Sequence, residues 1–198
     1  MAADVDEGLR TGADGVVRCW WCGDDPLYVD YHDHEWGRPT RDERDVFELL
    51  ALEGFQAGLA WITILRKREA FRAAFDGFDI DAVAAYEEPD IERLLGDAGI
   101  VRHRGKIQAT IDLARLSQEL RAEGSSLSEL VWSHVPEPRP APLATQAEIP
   151  AHTPESGALS KALKARGARF VGPTIVYAFM QSAGMVDDHL IGCHRCGP

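Results

Sequence analysis

The placement of cysteine is the feature that most constrains the fold of this 198-residue chain. The cysteines form two pairs, one near each end of the sequence: Cys19, Cys22, Cys193 and Cys196. Clustered cysteines in a chain that opens without a recognisable secretory leader are typical of metal binding rather than of disulfides. An ion held by residues from both ends would clip the termini together across a very long loop.

Two sets of ligands are compatible with the spacing. One is a Cys₂His₂ set made of Cys19, His32, His189 and Cys193. In this set His189 and Cys193 would project from one face of a helical turn. The other set consists of the two CxxC pairs, which by spacing alone is the stronger zinc signal. Two further histidines, His34 and His194, are spare candidates. The pattern predicts one structural zinc ion and leaves the choice of ligands open.

Helix signals recur along the chain, whereas no segment combines the alternation and turns of a β-hairpin. Helix starts are indicated at Thr40–Glu43, Asp79, Pro89–Asp90, Ser126–Glu129, Thr153–Pro154 and Gly172–Pro173. A long amphipathic stretch runs from about Arg104 to Ala122. Apolar residues make up 45% of the chain, enough for a substantial core. These observations predict an all-α fold.

The domain organisation is predicted to be simple. Residues 1–17 are rich in Asp and Gly and are expected to form a loose N-terminal tail, with residues 18–198 as a single helical domain. The best linker candidate is the proline-rich stretch of about residues 135–150, but the helices on both sides are too short to fold alone. No apolar run is long enough to cross a membrane, so we expect a monomer in the cytoplasm with no membrane contact.

The net charge of −11 argues against binding to DNA when it is taken alone, because phosphate contacts need Lys and Arg. The distribution of charge matters more than its sum. Eleven of the 21 basic residues lie in three stretches: residues 66–72, 102–106 and 161–169. One hypothesis is that the three stretches form a single positive face. The alternative is that they are three solvated helix surfaces.

The segment from Leu94 to Ile107 has the pattern of two helices that flank a short turn. Gly99 can adopt a positive φ and admit a close neighbour, and the second helix is expected to begin just after it. The free N–H groups at a helix start bind phosphate. We therefore predict that the backbone at Gly99 and Ile100 contacts DNA phosphates, together with Arg102, Arg104 and Lys106. The alternative is an ordinary corner between two helices with exposed basic residues.

Several unusual sequence blocks occur in an order typical of one known family. They are Asp25-Pro26-Leu27-Tyr28, Tyr31-His32-Asp33, Glu35-Trp36-Gly37, Leu52-Glu53-Gly54, Gln56-Ala57-Gly58-Leu59, Trp61-Ile62-Thr63, Asp97-Ala98-Gly99-Ile100, Arg102-His103-Arg104-Gly105-Lys106-Ile107, Phe170-Val171-Gly172 and Asp188-His189 with Cys193. In these blocks the chain resembles 3-methyladenine DNA glycosylase I, of the helix-hairpin-helix glycosylase superfamily. The likeness spans about residues 18–193.

The resemblance implies an all-α helix-hairpin-helix fold and an enzyme that flips 3-methyladenine out of alkylated double-stranded DNA and hydrolyses its glycosidic bond. It favours Cys19, His32, His189 and Cys193 as the zinc ligands over the CxxC pairs. It also implies a base pocket formed by Glu53, Tyr31, Trp61, Tyr28 and Trp21. Leu59, in a glycine-rich turn, is the candidate wedge into the base stack.

The chemistry of methylated adenine explains these residue types. Methylation at N3 makes the base cationic and weakens its glycosidic bond, so the enzyme must mainly flip and select the base. The aromatic faces of Tyr31 and Trp61 suit a cationic purine, and the carboxylate of Glu53 suits its amino edge. Without the resemblance, Glu53 would be interpreted as a surface charge at a helix end, and Trp61 as an ordinary core residue.

Two other functions are compatible with parts of the pattern. A non-catalytic DNA-binding helical hairpin would not need the Tyr, Glu and Trp of a base pocket. A zinc hydrolase would need an open coordination position, which four protein ligands do not leave. In related lyases, a Lys and an Asp lie in the stretch that corresponds to Ser117–Arg121, and the Lys forms the Schiff base for strand cleavage. This stretch has neither residue here, which predicts a monofunctional glycosylase without significant lyase activity.

Overall fold

The computed structural model describes residues 8–139 and 141–197, and within these ranges it contains ten α-helices and one two-stranded sheet. The strands are β1 (Leu9–Thr11) and β2 (Val17–Cys19). The helices are α1 (Pro26–His34), α2 (Glu43–Gln56), α3 (Trp61–Leu65), α4 (Arg68–Ala74), α5 (Ile80–Ala84), α6 (Glu88–Gly96), α7 (Arg104–Ala122), α8 (Leu127–Trp132), α9 (Pro154–Ala165) and α10 (Pro173–Ser182). No helix in the described ranges is long and apolar enough to cross a bilayer.

The core is built around α2, which packs against both α7 and α10. A run of phenylalanines fills the space between α2 and α4 and includes Phe47, Phe55, Phe71, Phe75 and Phe78. Because α2 carries apolar side chains around most of its circumference, it is buried along nearly its whole length. Polar side chains on this helix are therefore held in the interior.

The N-terminal segment departs from the sequence prediction. Strands β1 and β2 pair antiparallel, with Leu9 opposite Cys19 and Thr11 opposite Val17. The predicted tail of residues 1–17 is thus an ordered hairpin from residue 9, and residues 1–7 lie outside the described ranges. The pairing was not predicted because three-residue strands carry too little alternation to recognise.

Helix boundaries follow local capping chemistry. Helix α7 spans the predicted residues, and Ser126, Thr153 and Gly172 are the N-caps of their helices as expected. The start of α2 differs from the prediction, because the side chain of Asp42, not Thr40, accepts hydrogen bonds from the first turn. The carboxylate of Glu43 instead accepts the backbone N–H groups of Leu127 and Ser128 at the start of α8. A side chain expected to cap its own helix therefore joins two helices.

The end of α10 is tied to the connection between α1 and α2. The backbone N–H of Gly37 donates to the carbonyl of Gln181, and that of Thr40 donates to the carbonyl of Ala183. Gly184 has a φ of +67°, and a Cβ there would lie only 2.4 Å from the carbonyl carbon of Arg38. Only glycine fits this contact, which fixes the end of α10 beside α1.

Candidate active site

A cavity of about 270 Å³ opens where α1, α2, α3 and α10 meet. All five predicted base-pocket residues line this cavity: Trp21, Tyr28, Tyr31, Glu53 and Trp61. The remaining lining comes from Trp20, Trp36, Gln56, Ile149, Ala178, Gln181 and Ser182. Side chains from both ends and the middle of the chain are thus brought together in one aromatic pocket.

Glu53 is the carboxyl group of this pocket. Its residue is only 2% exposed, so the alternative of a surface charge at a helix end is wrong. Burial raises the pKa of Glu53 to about 8, against the opposing effect of the Ser182 hydroxyl, which donates a 2.8 Å hydrogen bond to Oε1. Among the described residues, no basic side chain forms an ion pair with Glu53. The carboxyl group therefore lacks a counter-ion among the residues that the structure describes.

Aromatic rings surround the carboxyl group. The Tyr31 hydroxyl donates to the Ser182 hydroxyl at 3.1 Å, which completes a Tyr31–Ser182–Glu53 chain. The centroids of Tyr31 and Trp61 are 5.6 Å apart, and Trp21 lies 5.1 Å from Tyr28. Burial and the nearby Glu53 raise the pKa of Tyr31 well above its usual value, so its hydroxyl stays protonated. The walls offer π faces and proton donors around one carboxyl group.

A cluster of two cysteines and two histidines lies directly behind the pocket. Its four side chains are buried and come from the predicted Cys₂His₂ set: Cys19, His32, His189 and Cys193. The Sγ of Cys193 is 3.5 Å from Nε2 of His32 and 3.7 Å from Nδ1 of His189, and the Sγ of Cys19 is 3.8 Å from the same Nδ1. Tetrahedral zinc with Zn–S of about 2.3 Å and Zn–N of about 2.0–2.1 Å gives S···N edges of about 3.5 Å. The group has the donors and spacing to hold a metal ion.

The rival ligand set does not assemble. The thiol of Cys22 donates to the carbonyl of Cys19, and that of Cys196 donates to the carbonyl of Gly197. Neither sulfur belongs to the buried cluster. The expected helical turn between His189 and Cys193 is also absent, because both residues follow α10 in a non-helical turn. The cluster therefore combines Cys19 at the end of β2, His32 on α1, and two residues of the C-terminal loop.

Asp33 supports the cluster from its outer side. Its carboxylate accepts from Nδ1 of His32 at 2.8 Å, from Arg18 and from His194. Although burial works to raise it, these hydrogen bonds, led by that of Arg18, hold the pKa of Asp33 well below its usual value. A carboxylate on the outer nitrogen fixes the histidine so that Nε2 faces the cluster. This support was not predicted from the sequence.

The cluster and the aromatic pocket share a wall. The ring centroid of Trp21 is 5.2 Å from that of His32, and Trp36 is 4.6 Å from His189. Both tryptophans line the cavity that contains Glu53. Residues that could hold a metal ion thus set the position of the pocket rings.

Comparisons with known proteins identify this arrangement. A family model described as methyladenine glycosylase matches residues 21–196. The chain belongs to this family. It is 54% identical over 179 residues to DNA-3-methyladenine glycosylase 1 of Escherichia coli (strain K12), covering 90% of this chain and 96% of that protein.

Solved structures agree with the family assignment. A crystal structure of 3-methyladenine DNA glycosylase I is similar with a TM-score of 0.88 and 53% identity, covering 91% of this chain and 100% of that chain. A variant of 3-methyladenine DNA glycosylase I in complex with 3-methyladenine is similar with a TM-score of 0.81 and 38% identity. That match covers 86% of this chain and 92% of the other. As a methyladenine glycosylase, the chain is an enzyme that hydrolyses N-glycosyl bonds.

The surroundings of the predicted DNA-contact residues differ from those that the sequence predicted. Helix α7 begins at Arg104 and is capped by His103, four residues later than the hairpin hypothesis placed it. Gly99 does not have a positive φ, and a Cβ there would lie 2.9 Å from Oδ1 of Asp97 and 3.0 Å from the Cβ of Ala70, which leaves little room for a side chain. Ile100 is only 3% exposed, and its backbone N–H donates to the carbonyl of Asp97. The turn is exposed in part, but it is not a helix start.

Lys106 is not a phosphate contact, contrary to the prediction. The residue is 7% exposed, and its Nζ donates to the carbonyls of Phe55 and Ala57 at 2.8 and 2.7 Å. These carbonyls lie at the end of α2, where the helix dipole is negative and attracts a cation. Lys106 therefore holds the end of the helix that carries Glu53.

The other basic residues are mostly paired with acidic groups. The ion pairs are Arg66–Asp25, Arg68–Glu35, Arg72–Glu48, Arg104–Glu88, Arg104–Glu92, Arg166–Glu123 and Arg169–Asp112. Lys67 donates to the carbonyls of Ala98 and Gly99 in the hairpin turn. The hypothesis of one free positive face is therefore wrong for most of these side chains. Within the described ranges, Arg102, Lys161 and Lys164 keep exposed charges without an ion-pair partner.

Leu59 lies at the tip of a tight turn beside the pocket. Leu59 is 39% exposed. Its backbone N–H donates to the carbonyl of Gln56, and its own carbonyl accepts from the side-chain amide of Gln56. Gln56 itself lines the cavity. The exposed side chain of Leu59 is thus carried by a turn whose backbone is bonded to a residue that lines the glycosylase pocket.

Two residues of α10 in the pocket escaped sequence reasoning. Ser182 bonds Glu53 from 129 positions away, and Gln181 lines the cavity next to it. The sequence of α10 is mostly apolar. A single sequence does not indicate which of its few polar residues face a site on α2. The packing of α10 on α2 brings them together.

Proposed function

We propose that this glycosylase flips 3-methyladenine out of alkylated double-stranded DNA into the cavity at Glu53 and hydrolyses its glycosidic bond. The observation that carries the proposal is the buried carboxyl group of Glu53, which is surrounded by aromatic rings and has no counter-ion in the described part of the chain. The related structure in complex with 3-methyladenine supports the choice of base.

Selection follows from the charge of the damaged base. The empty pocket favours the protonated carboxyl group, because burial raises the pKa of Glu53 to about 8. A cationic base supplies the missing counter-ion, lowers that pKa and is held by the carboxylate. Normal adenine is neutral and offers no such compensation, so it lacks the charge-assisted attraction to Glu53 and relies on neutral hydrogen bonds and on stacking on Tyr31 and Trp61. A neutral leaving group needs no strong acid, and binding selection therefore carries most of the specificity.

The decisive experiment is incubation with methylated duplex DNA, followed by identification of the released base. We expect free 3-methyladenine from the native enzyme and a strong reduction in Trp61→Ala, which removes the stacking surface for all purines. DNA binding without any released base would support the alternative of a non-catalytic helical hairpin.

Fewer residues are available to contact DNA than the sequence predicted, because Lys106 is buried and Arg104 is paired with acidic side chains. We propose that the backbone turn at Gly99 and Ile100, together with Arg102, contacts phosphate, and that Leu59 enters the base stack. Arg102→Ala should flatten the dependence of log affinity on log salt by about one unit, because one phosphate contact is lost. Lys106→Met is the matched control and should leave this slope unchanged. The assignment of Arg102 would be wrong if both variants kept the native slope.

The wedge has its own test. Leu59→Ala should slow excision from duplex DNA more than from single strands, because only a duplex leaves a gap to be filled. Equal slowing on both substrates would contradict the role of Leu59.

We propose that the Cys₂His₂ cluster holds one structural zinc ion. With four protein ligands, no coordination position is left for a reacting water, so the ion would supply a cross-link between the chain ends. Cys22→Ser combined with Cys196→Ser should keep about one zinc per chain by metal analysis. Loss of zinc in this double variant would restore the CxxC pairs as the site. Chelation should unfold the protein rather than inactivate a folded enzyme.

We also propose a monofunctional enzyme that works as a monomer in the cytoplasm. The described lining of the cavity contains no lysine, and the amine of Lys106 is engaged by two carbonyls, so neither supplies an amine for a Schiff base. Borohydride should therefore trap no covalent complex with damaged DNA. A trapped complex would contradict monofunctional chemistry.

A further inference from the structure

We infer that Gln181 makes the pocket select 6-amino purines over 6-oxo purines, an inference that rests on the proposed removal of 3-methyladenine. Gln181 is the penultimate residue of α10 and lines the cavity that contains Glu53. Its neighbour Ser182 is the hydrogen-bond donor to Glu53. The side chain therefore lies at the part of the pocket where the edge of a base would meet the carboxyl group.

The orientation of the Gln181 amide is fixed by a buried carboxylate. Nε2 of Gln181 donates to Oδ2 of Asp188 at 2.7 Å, and the Tyr177 hydroxyl donates to the same oxygen at 2.7 Å. Asp188 is fully buried, and its other oxygen lies 2.5 Å from the guanidinium of Arg139, which compensates its charge. An ionised carboxylate only accepts hydrogen bonds, so the NH₂ end of the amide must face it.

The carbonyl oxygen of Gln181 is consequently left for a ligand. Within the described ranges, Oε1 of Gln181 and Oε2 of Glu53 accept no hydrogen bond, and neither atom is sealed from solvent. The pocket thus presents two acceptors, one from α10 and one from α2. The exocyclic amino group of adenine has two in-plane N–H bonds and can give one to each acceptor. A 6-oxo group has only lone pairs in those directions.

Glu53 alone cannot make this distinction. A carboxyl group that holds a proton can donate to a 6-oxo group, and an ionised one can accept from a 6-amino group. Gln181 has no such freedom, because turning its amide would place two oxygens against each other at Asp188. The fixed acceptor on Gln181 therefore rejects the 6-oxo base in either protonation state of Glu53.

Titration of the intact protein with free 3-methyladenine and free 3-methylguanine tests the inference. Gln181→Leu removes the fixed acceptor and should narrow the ratio of the two dissociation constants by roughly three- to tenfold. Asp188→Asn frees the amide to turn and should narrow the ratio by about tenfold or more, with tighter binding of 3-methylguanine. Gln118→Leu is the matched control, because it breaks an equivalent amide–carboxylate bond at the surface, to Asp81, and should keep the native ratio.

The outcomes separate this inference from the proposed function. If the native protein binds neither base, the proposed function fails and this inference fails with it. If the native protein prefers 3-methyladenine and both Gln181→Leu and Asp188→Asn keep the native ratio, only the role of Gln181 is overturned. Should Asp188→Asn fail to fold, the ratio for Gln181→Leu decides the question alone.

Discussion

Two carboxyl groups on the same helix have similar burial and different surroundings. Glu48 and Glu53 both lie on α2 and are 5% and 2% exposed. Oε1 of Glu48 accepts a 2.8 Å hydrogen bond from Arg72, and Arg44 is 3.9 Å from Oε2. Glu53 has the hydroxyl of Ser182 in place of any cation. Glu48 therefore has its counter-ion within the fold, whereas the charge of Glu53 can be compensated by a bound ligand.

The cavities beside the two carboxyl groups show the same contrast. Glu48 borders a cavity of about 380 Å³ lined by four arginines and several acids, whereas Glu53 borders the aromatic pocket. Tyr31, Trp61 and Ser182 belong to both linings and separate the two spaces. Burial raises the pKa of both groups, but arginines, led by Arg72, oppose the shift at Glu48. The comparison teaches that burial of a carboxyl group indicates a binding role only where internal compensation is missing.

The largest expected effect is on recognition of the base. Glu53→Gln keeps the size of the side chain but removes the ionisable carboxyl group that bonds the base, and it should lower the affinity for free 3-methyladenine relative to adenine by roughly ten- to hundredfold. The matched change Glu48→Gln should alter that ratio by less than about twofold, since Glu48 serves Arg72. Calorimetric titration of both variants measures this. An unchanged ratio in Glu53→Gln would remove Glu53 as the selector.

The next effect is a pH dependence of stability. Burial holds the pKa of Glu53 at about 8 in the folded state, against 4.5 as the ordinary value expected of the unfolded chain. Between pH 4.5 and pH 8, Glu53 is therefore protonated in the folded state and ionised in the unfolded chain. The contribution of this proton to the free energy of unfolding is fully present below pH 4.5 and is lost as the pH rises through 8. Between pH 6 and pH 8, the native protein should lose about 2 kcal/mol more stability than Glu53→Gln.

Urea unfolding at several pH values measures this difference. Glu48→Gln should reduce the slope less than Glu53→Gln does, because the arginines near Glu48 oppose its pKa shift. Equal slopes in the native protein and Glu53→Gln would mean that solvent reaches Glu53 and that the contrast between the two groups is smaller than the geometry indicates.

The smallest effect comes from making Glu48 resemble Glu53. Arg72→Met removes the main counter-ion and should destabilise the fold by about 1–2 kcal/mol, a value reduced from that of a buried pair because Arg72 is partly exposed. Adding Glu48→Gln should restore most of this loss, because no uncompensated carboxyl group remains. Chemical denaturation of the single and double variants forms a complete cycle. Additive losses would indicate that Arg72 does not act through Glu48.

The sequence predicted the local structure well where a single segment decides it. The bounds of α7 and the caps at Ser126 and Thr153 follow from neighbouring residues, and the structure has them as expected. The gathering of the Cys₂His₂ set was also predicted, although only the family resemblance chose it over the CxxC pairs. In these cases the residue type itself, a capping hydroxyl or a metal-binding thiol or imidazole, indicates its role.

Long-range contacts were beyond prediction from a single sequence. Lys106 was expected to bind DNA because its type and position fit a basic stretch, yet it is buried at the end of α2. Glu43 was expected to cap its own helix, and it caps α8. No local pattern in the sequence points to Gln181 and Ser182, because their role depends on how α10 packs on α2. In each case the partner is distant in the sequence and is chosen by tertiary packing.

The cluster of Cys19, His32, His189 and Cys193 has a consequence for how the protein is made. Cys19 and His189 are separated by 170 positions, so a ribosome must release nearly the whole chain before the cluster can assemble. The N-terminal segment that carries Trp21, Tyr28 and Tyr31 emerges first, but its partners on α10, such as Ser182 for Tyr31, emerge near the end. Closing so long a loop is entropically costly and slow. A chain cut short before residue 189 would consequently expose unpacked pocket aromatics, a feature that chaperones and proteases recognise, and defective copies would be removed before they could bind DNA without repairing it.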